Sequence, residues 1–210
     1  MSQVSFENRT VIVTGAGNGL GKAYALEFAN RGANVVVNDL GGSVDGTGEG
    51  STPADNVVNE IKESGGNAVA NYDSVATKDG GQNIVNTALE TYGDLDAVVN
   101  NAGILRDKSF LKMTDDDLNI VLDVHLKGTF YVCQPAFAHM KEKGYGRFVN
   151  VASPSGLFGN FGQLNYGAAK MGIVGLTNVM AIEGAKYNIK ANVLAPVSYT
   201  HLRAHETHEH

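Results

Sequence analysis

Tyr166 and Lys170 stand four residues apart within residues 163–187, where the apolar spacing predicts a helix, so both side chains lie on one face, one turn apart. A phenol ionises near pH 10, about three units above neutrality, and needs a nearby cation to favour the phenolate before it can act as an acid-base group at neutral pH. Lys170 supplies that charge, and the two side chains can share one substrate. A second group opens the chain: Thr14-Gly15-Ala16-Gly17-Asn18-Gly19-Leu20-Gly21 follows an apolar run and begins a helix. A pyrophosphate must reach the backbone amides at a helix N-terminus, and a Cβ there obstructs it, so Gly15, Gly19 and Gly21 are the candidate contacts. A glycine-rich turn also serves close packing, and what decides between the two readings is Asp39, which ends the next apolar run about 20 residues on, where a dinucleotide fingerprint expects an acid. Its carboxylate accepts from both ribose hydroxyls and repels a 2′-phosphate, with no Arg or Lys beside it to offset the charge, so the expected cofactor is NAD rather than NADP. As a bare residue type, Asp39 also has the lesser reading of a turn or helix N-cap residue.

The elements that must position these groups are legible as an alternation. Short β-branched runs at 11–13, 35–37, 68–72, 97–99, 148–151 and 191–194 read as strands, and 20–31, 53–64, 78–92, 114–143 and 163–187 read as helices. The runs are apolar on both faces, as strands of a parallel sheet covered on each side must be. The expected fold is therefore α/β, a Rossmann-type doubly wound parallel sheet, with residues 41–52, longer than the usual connection, as an insertion near the ligand.

With 210 residues, 43% hydrophobic and 18% charged, and no long apolar run, the chain fits one globular domain and not a membrane span, a disordered tail or a coiled coil. A net charge of -6 argues against nucleic acid or an anionic membrane as partner and for a small molecule. The single cysteine, Cys133, forms no internal disulfide, which together with the absence of a signal-like start points to a reducing, intracellular compartment. Four of the six histidines fall in the last ten residues, and 197–207 resemble a translated sequencing adapter. Residues 1–196 are accordingly expected to be the domain, incomplete at its C-terminus and truncated after the sixth strand, with 197–210 a non-native tail and no metal site.

Together, Thr14-Gly15-x-x-x-Gly19-x-Gly21, Asn100-Asn101-Ala102-Gly103, Ser153 and Tyr166-x-x-x-Lys170, in this order across residues 6–196, resemble the short-chain dehydrogenase/reductase superfamily. The resemblance implies that Tyr166 exchanges a proton with the substrate oxygen, that Ser153 hydrogen-bonds the same oxygen, that Lys170 also holds the nicotinamide ribose, and that hydride moves to or from NAD. Ser153 lies thirteen residues before Tyr166, so strand, loop and helix must fold back for the hydroxyls to converge, and Ser155 competes for the role. The implied cofactor contacts are Gly15, Asn18, Gly19, Leu20, Gly21, Asp39, Asp73, Ser74, Val75 and Asn100, with Tyr166 and Lys170. Where the family usually carries an Asn that helps hold a relay water, this chain has His125, which departs from that part of the resemblance and leaves a backbone carbonyl at the same turn as one group able to serve. The helices around His125 and Tyr166 are the faces through which family members pair as homodimers or homotetramers.

The stretches 36–42, 70–75, 103–107 and 159–163 further resemble a subgroup found as the dehydrogenase domain of peroxisomal multifunctional enzymes and as single-domain bacterial proteins. That subgroup oxidises (3R)-3-hydroxyacyl-CoA to 3-oxoacyl-CoA, and relatives oxidise steroid alcohols. The implied partner is an acyl-CoA or similar hydroxy compound, in peroxisomes for a eukaryotic member and in the cytoplasm for a bacterial one. A 3-oxoacyl-carrier-protein reductase is the alternative within the enzymes, and a noncatalytic NAD-binding sensor or scaffold the alternative outside them.

Overall fold

The computed structural model describes residues 4–41 and 52–196. The insertion expected at 41–52, apart from its two end residues, and the tail at 197–210 with its histidines lie outside the described residues.

Six strands form one parallel sheet: β1 (Thr10–Thr14), β2 (Asn34–Asn38), β3 (Asn67–Asn71), β4 (Ala97–Asn100), β5 (Gly146–Val151) and β6 (Ile189–Leu194), in the order β3-β2-β1-β4-β5-β6. Alternate residues of each apolar run serve opposite faces. Val11, Val13, Val35 and Val37 meet Ala25 and Ala29 of α1 (Gly19–Asn30) and Val57 and Ile61 of α2 (Thr52–Glu63). Ile12, Val36, Val98 and Phe148 meet Ile84 and Ala88 of α3 (Lys78–Tyr92) together with Val132, Ala136 and Met140 further along the chain. Each such fully buried aliphatic side chain contributes about 1.5–3 kcal/mol, which is why runs apolar on both faces end up in the middle of the sheet. No helix among the described residues is long and apolar enough to cross a membrane.

The expected helix over 114–143 is three pieces: α4 (Asp115–Leu122), a π-helical turn (Asp123–Lys127) and α5 (Gly128–Lys143). Its start is set by a capping box in which Thr114 and Asp117 satisfy each other's backbone amides. A short helix absent from the sequence reading, α6 (Pro154–Phe158), precedes α7 (Leu164–Gly184), whose end tightens into a 3₁₀ turn. At the N-terminal edge of the sheet the buried Asp96 accepts from the Thr10 amide at 2.8 Å, from Arg9 at 2.7 Å and from Lys143 at 2.7 Å. At the opposite edge the strand order reverses between β1 and β4, the place where an open parallel sheet leaves a crevice at its carboxyl ends.

Candidate active site

The loop between β1 and α1 is built for close approach. Gly15 and Gly19 sit at φ of +62° and +55°, in the left-handed region that favours glycine. A Cβ at Gly15 would lie 2.7 Å from the Cα of Ala102, and one at Gly21 would lie 2.1 Å from the Gly15 carbonyl oxygen. At Gly19, by contrast, none of the described residues comes within 4 Å of such an atom. Asn18 occupies the N-cap position of α1 without a side-chain capping bond, and the first turn carries no acidic residue. The first-turn amides and the positive end of the helix dipole are therefore left without a side-chain cap or an acidic neighbour in the turn, which suits an anion.

Asp39 is held from two sides: Oδ2 accepts from the Gly17 amide and Oδ1 from the Gly41 amide, both at 2.8 Å. Gly17 in this loop and Asn101 just after β4 are not among the candidate contacts expected from the sequence. The Asn101 amide donates to the Thr14 and Gly15 carbonyls at 3.2 and 3.0 Å, while the Thr14 hydroxyl accepts from the Asn101 and Ala102 amides, both at 3.1 Å. The second Asn of Asn100-Asn101-Ala102-Gly103 was the available signal. Val75 and Asn100 line a narrow recess with Thr14, Ala102, Val124 and Thr129 where β1 and β4 end. Asn100 turns its side-chain amide inward, donating to Asn150 Oδ1 at 2.8 Å and to Cys133 Sγ at 3.1 Å. Asp73 is similarly engaged, with Asn71 and Asn83 donating to its two oxygens, and Ser74 Oγ accepts from the Ala76 amide. These side chains shape the crevice wall rather than project from it. A surface depression of about 520 Å³ bordered by Ser5, Arg31, Gly32 and Asn67 lies at the other edge of the sheet and holds none of these groups.

The fold-back that Ser153 requires is made by α6. Ser153 is its N-cap: Oγ accepts from the Ser155 amide at 3.2 Å, with Pro154 at the first helical position. The cap reading and a chemical one are compatible, because an accepting hydroxyl keeps its own hydrogen to donate. Two glycines let α6 rest on α7: a Cβ at Gly156 would lie 2.8 Å from the Met171 amide nitrogen, and one at Gly167 would lie 3.1 Å from the Ser155 carbonyl oxygen. Asn165, fully buried and also missed, donates to the Arg106 and Asp117 carbonyls at 2.9 and 2.8 Å and accepts from the Tyr166 amide at 2.8 Å. It ties the first turn of α7 to α4 and to the segment after β4. An Asn at the opening turn of a predicted helix was its only signal.

Tyr166 and Lys170 share the inner face of α7, with the ammonium 5.4 Å from the centre of the phenol ring. Lys170 is 3% exposed, donates to the Val151 carbonyl at 2.6 Å, and is drawn down by burial to a pKa of about 8, so it remains largely charged at pH 7. His125 lies in the π turn, buried, with its ring edge-on to Tyr166 at 5.1 Å. Its Nε2 is 3.0 Å from the Ile104 amide nitrogen and 2.8 Å from the Ile104 oxygen, and Nδ1 has no hydrogen-bond partner. Burial, and next the Lys170 charge, push its pKa down to about 3, so the ring is neutral at ordinary pH. The His125 carbonyl accepts from the Thr129 hydroxyl at 2.7 Å, which leaves its second lone pair for another donor.

The sequence matches the short chain dehydrogenase family over residues 9–209. It is 59% identical over 196 residues to a short-chain type dehydrogenase/reductase of Mycobacterium tuberculosis, covering 93% of this chain and 68% of that protein. It is 57% identical over 195 residues to peroxisomal multifunctional enzyme type 2 of Mus musculus, again covering 93% of this chain but spanning only 26% of that enzyme. A crystal structure of a short chain dehydrogenase from Mycobacterium avium superposes with a TM-score of 0.87 at 44% identity, covering 97% of this chain and 72% of that one.

Proposed function

The chain belongs to the short-chain dehydrogenase/reductase family, and from that premise we propose that it is an NAD-dependent oxidoreductase interconverting a secondary alcohol and a ketone, with (3R)-3-hydroxyacyl-CoA as its substrate class. The observation that carries the reading is Tyr166 beside the charged Lys170 on one face of α7, against which the short helix capped by Ser153 is packed through Gly156 and Gly167. Lys170 favours the phenolate of Tyr166, which takes the proton of the substrate hydroxyl as the carbonyl forms and returns it in the reverse direction. Ser153 donates to the same oxygen, fixing the alcohol carbon in place. A bound nicotinamide dinucleotide supplies the hydride acceptor. The uncapped turn of Gly15, Asn18, Gly19, Leu20 and Gly21 would hold its pyrophosphate, Asp39 the adenosine ribose, Ser74 and Val75 the adenine side, and Lys170 the nicotinamide ribose.

The choice of NAD rests on Asp39 at the end of β2, whose carboxylate, held by two backbone bonds, would repel a 2′-phosphate on a nearby ribose. Fluorescence titration is expected to give an affinity for NADH at least about tenfold above that for NADPH, a difference of about 1.4 kcal/mol or more. Asp39→Ala should narrow that gap, and equal affinities in the unaltered chain would overturn the role given to Asp39. The acyl-CoA class is supported by the identity to the multifunctional enzyme, of which this chain spans a quarter. Offered racemic 3-hydroxyacyl-CoA and NAD, the chain should consume the R isomer and leave the S isomer; consumption of S alone would exclude the subgroup. The exposed Phe130 on α5 and Met171, Val179 and Ile182 on α7 support pairing of these helices between copies as a homodimer or homotetramer.

A further inference from the structure

His125 is the buried titratable group that this chemistry leaves unused. As an anchor for the Ile104 peptide an imidazole is a poor choice: Nε2 stands within bonding distance of both the amide nitrogen, at 3.0 Å, and the carbonyl oxygen, at 2.8 Å, but can serve only one of them in either tautomer. Nδ1 is left buried and without a partner. A side-chain amide in the same place could accept from the N–H and donate to the C=O together. What the imidazole provides instead is a rigid ring, and that ring is confined on two sides. Tyr166 meets it edge-on, with centroids 5.1 Å apart and planes at 87°. Gly103 is pressed against its rim so closely that a Cβ there would lie 2.3 Å from Cε1. The π turn fixes the approach from behind, with the Thr129 hydroxyl bonded to the His125 carbonyl.

We propose that His125 is a positioning residue for Tyr166, its ring acting as the wall that holds the phenol in register with the Gly103–Ile104 segment. Its neutrality keeps a second positive charge away from Lys170. The inference rests on the dehydrogenase reading for its catalytic consequence, though not for its geometry.

The test uses the full chain with His125→Gln and His125→Phe. The Gln amide reaches as far as Nε2 did, so this variant keeps hydrogen bonds to Ile104 and loses the wall; it should retain Tm and NADH affinity while kcat falls about tenfold or more at nearly constant KM. The Phe variant restores an aromatic wall without the bond, so its kcat should recover above that of the Gln variant although its Tm drops. Wild-type kcat in the Gln variant, or kcat and Tm falling together in both, would make His125 an anchor only and overturn the proposal. A second readout needs no turnover: with ¹³C-labelled tyrosine, the Tyr166 ring signal, identified by its loss in Tyr166→Phe, should report ring flips at least about tenfold faster in His125→Gln. An unchanged flip rate overturns the proposal. The flip rate is read without substrate, so failure of the dehydrogenase reading would leave this measurement standing.

Discussion

Tyr166→Phe is expected to lower turnover by about 10² to 10⁴, the range a positioned acid-base group contributes, while NADH affinity and thermal stability stay close to those of the unaltered chain. The substitution deletes one oxygen and keeps the ring, so the edge-on contact with His125 at 5.1 Å and the packing of Tyr166 against the cluster of Ile104, Val121 and Ala169 survive. The elements that shape the nucleotide crevice are equally untouched: the turn before α1, the two amides on Asp39 and the Asn101 bonds to Thr14 and Gly15 lie on other segments. What disappears is the group that takes the alcohol proton, and Lys170, bonded to the Val151 carbonyl at 2.6 Å, sits too deep to replace it. Steady-state kinetics beside an NADH titration checks both halves. Unchanged turnover would remove Tyr166 from the chemistry, and a parallel loss of NADH binding would show that the phenol serves the cofactor instead.

The second large effect is expected from Gly21→Ala. The new Cβ would lie 2.1 Å from the Gly15 oxygen, 2.6 Å from Asn101 Nδ2 and 2.8 Å from the Gly15 carbon. Two of these atoms are backbone and the third is the amide that ties the turn to the segment after β4, so none can yield without moving the turn itself. Overpacking of this kind costs about 1–3 kcal/mol, and it falls on the turn that aims the helix amides into the crevice. NADH affinity should drop about 100-fold or more, with a clear fall in Tm. Gly19→Ala provides the contrast. Its Cβ meets nothing within 4 Å among the described residues, which leaves the left-handed backbone penalty of about 1–2 kcal/mol at φ +55°. NADH affinity should still fall, because that is where an anion would lie. Wild-type affinity in both variants would take the glycine turn out of cofactor binding.

Much of this protein could be read from local order. Three consecutive valines at 35–37 are apolar on both faces and become a central strand with helices on either side. The helix Lys78–Tyr92 keeps the limits read from its pattern because Thr77 accepts from the Gly80 amide at its start and Gly93 turns left-handed at its end. Tyr166 and Lys170 share a face because the helical repeat places them there. All of these depend on residues within a turn or two of one another, where periodicity, capping and glycine permissiveness act. What the tertiary structure alone decided are contacts between backbones far apart in sequence. Asn165 reaches a carbonyl 59 residues away and Asn101 one 86 residues away. The expected ribose contact Asn100 turns its amide into the sheet because Asn150 and Cys133 arrive beside it on β5 and α5. The helix over 114–143 breaks into a π turn around His125, a residue clamped between Gly103, Ile104 and Tyr166 from two other segments. An isolated sequence specifies which groups can donate, accept or pack, whereas their partners are set only when distant segments close around them, and the carboxyl edge of a parallel sheet, where β1, β4 and β5 all end, is where most of that closing happens.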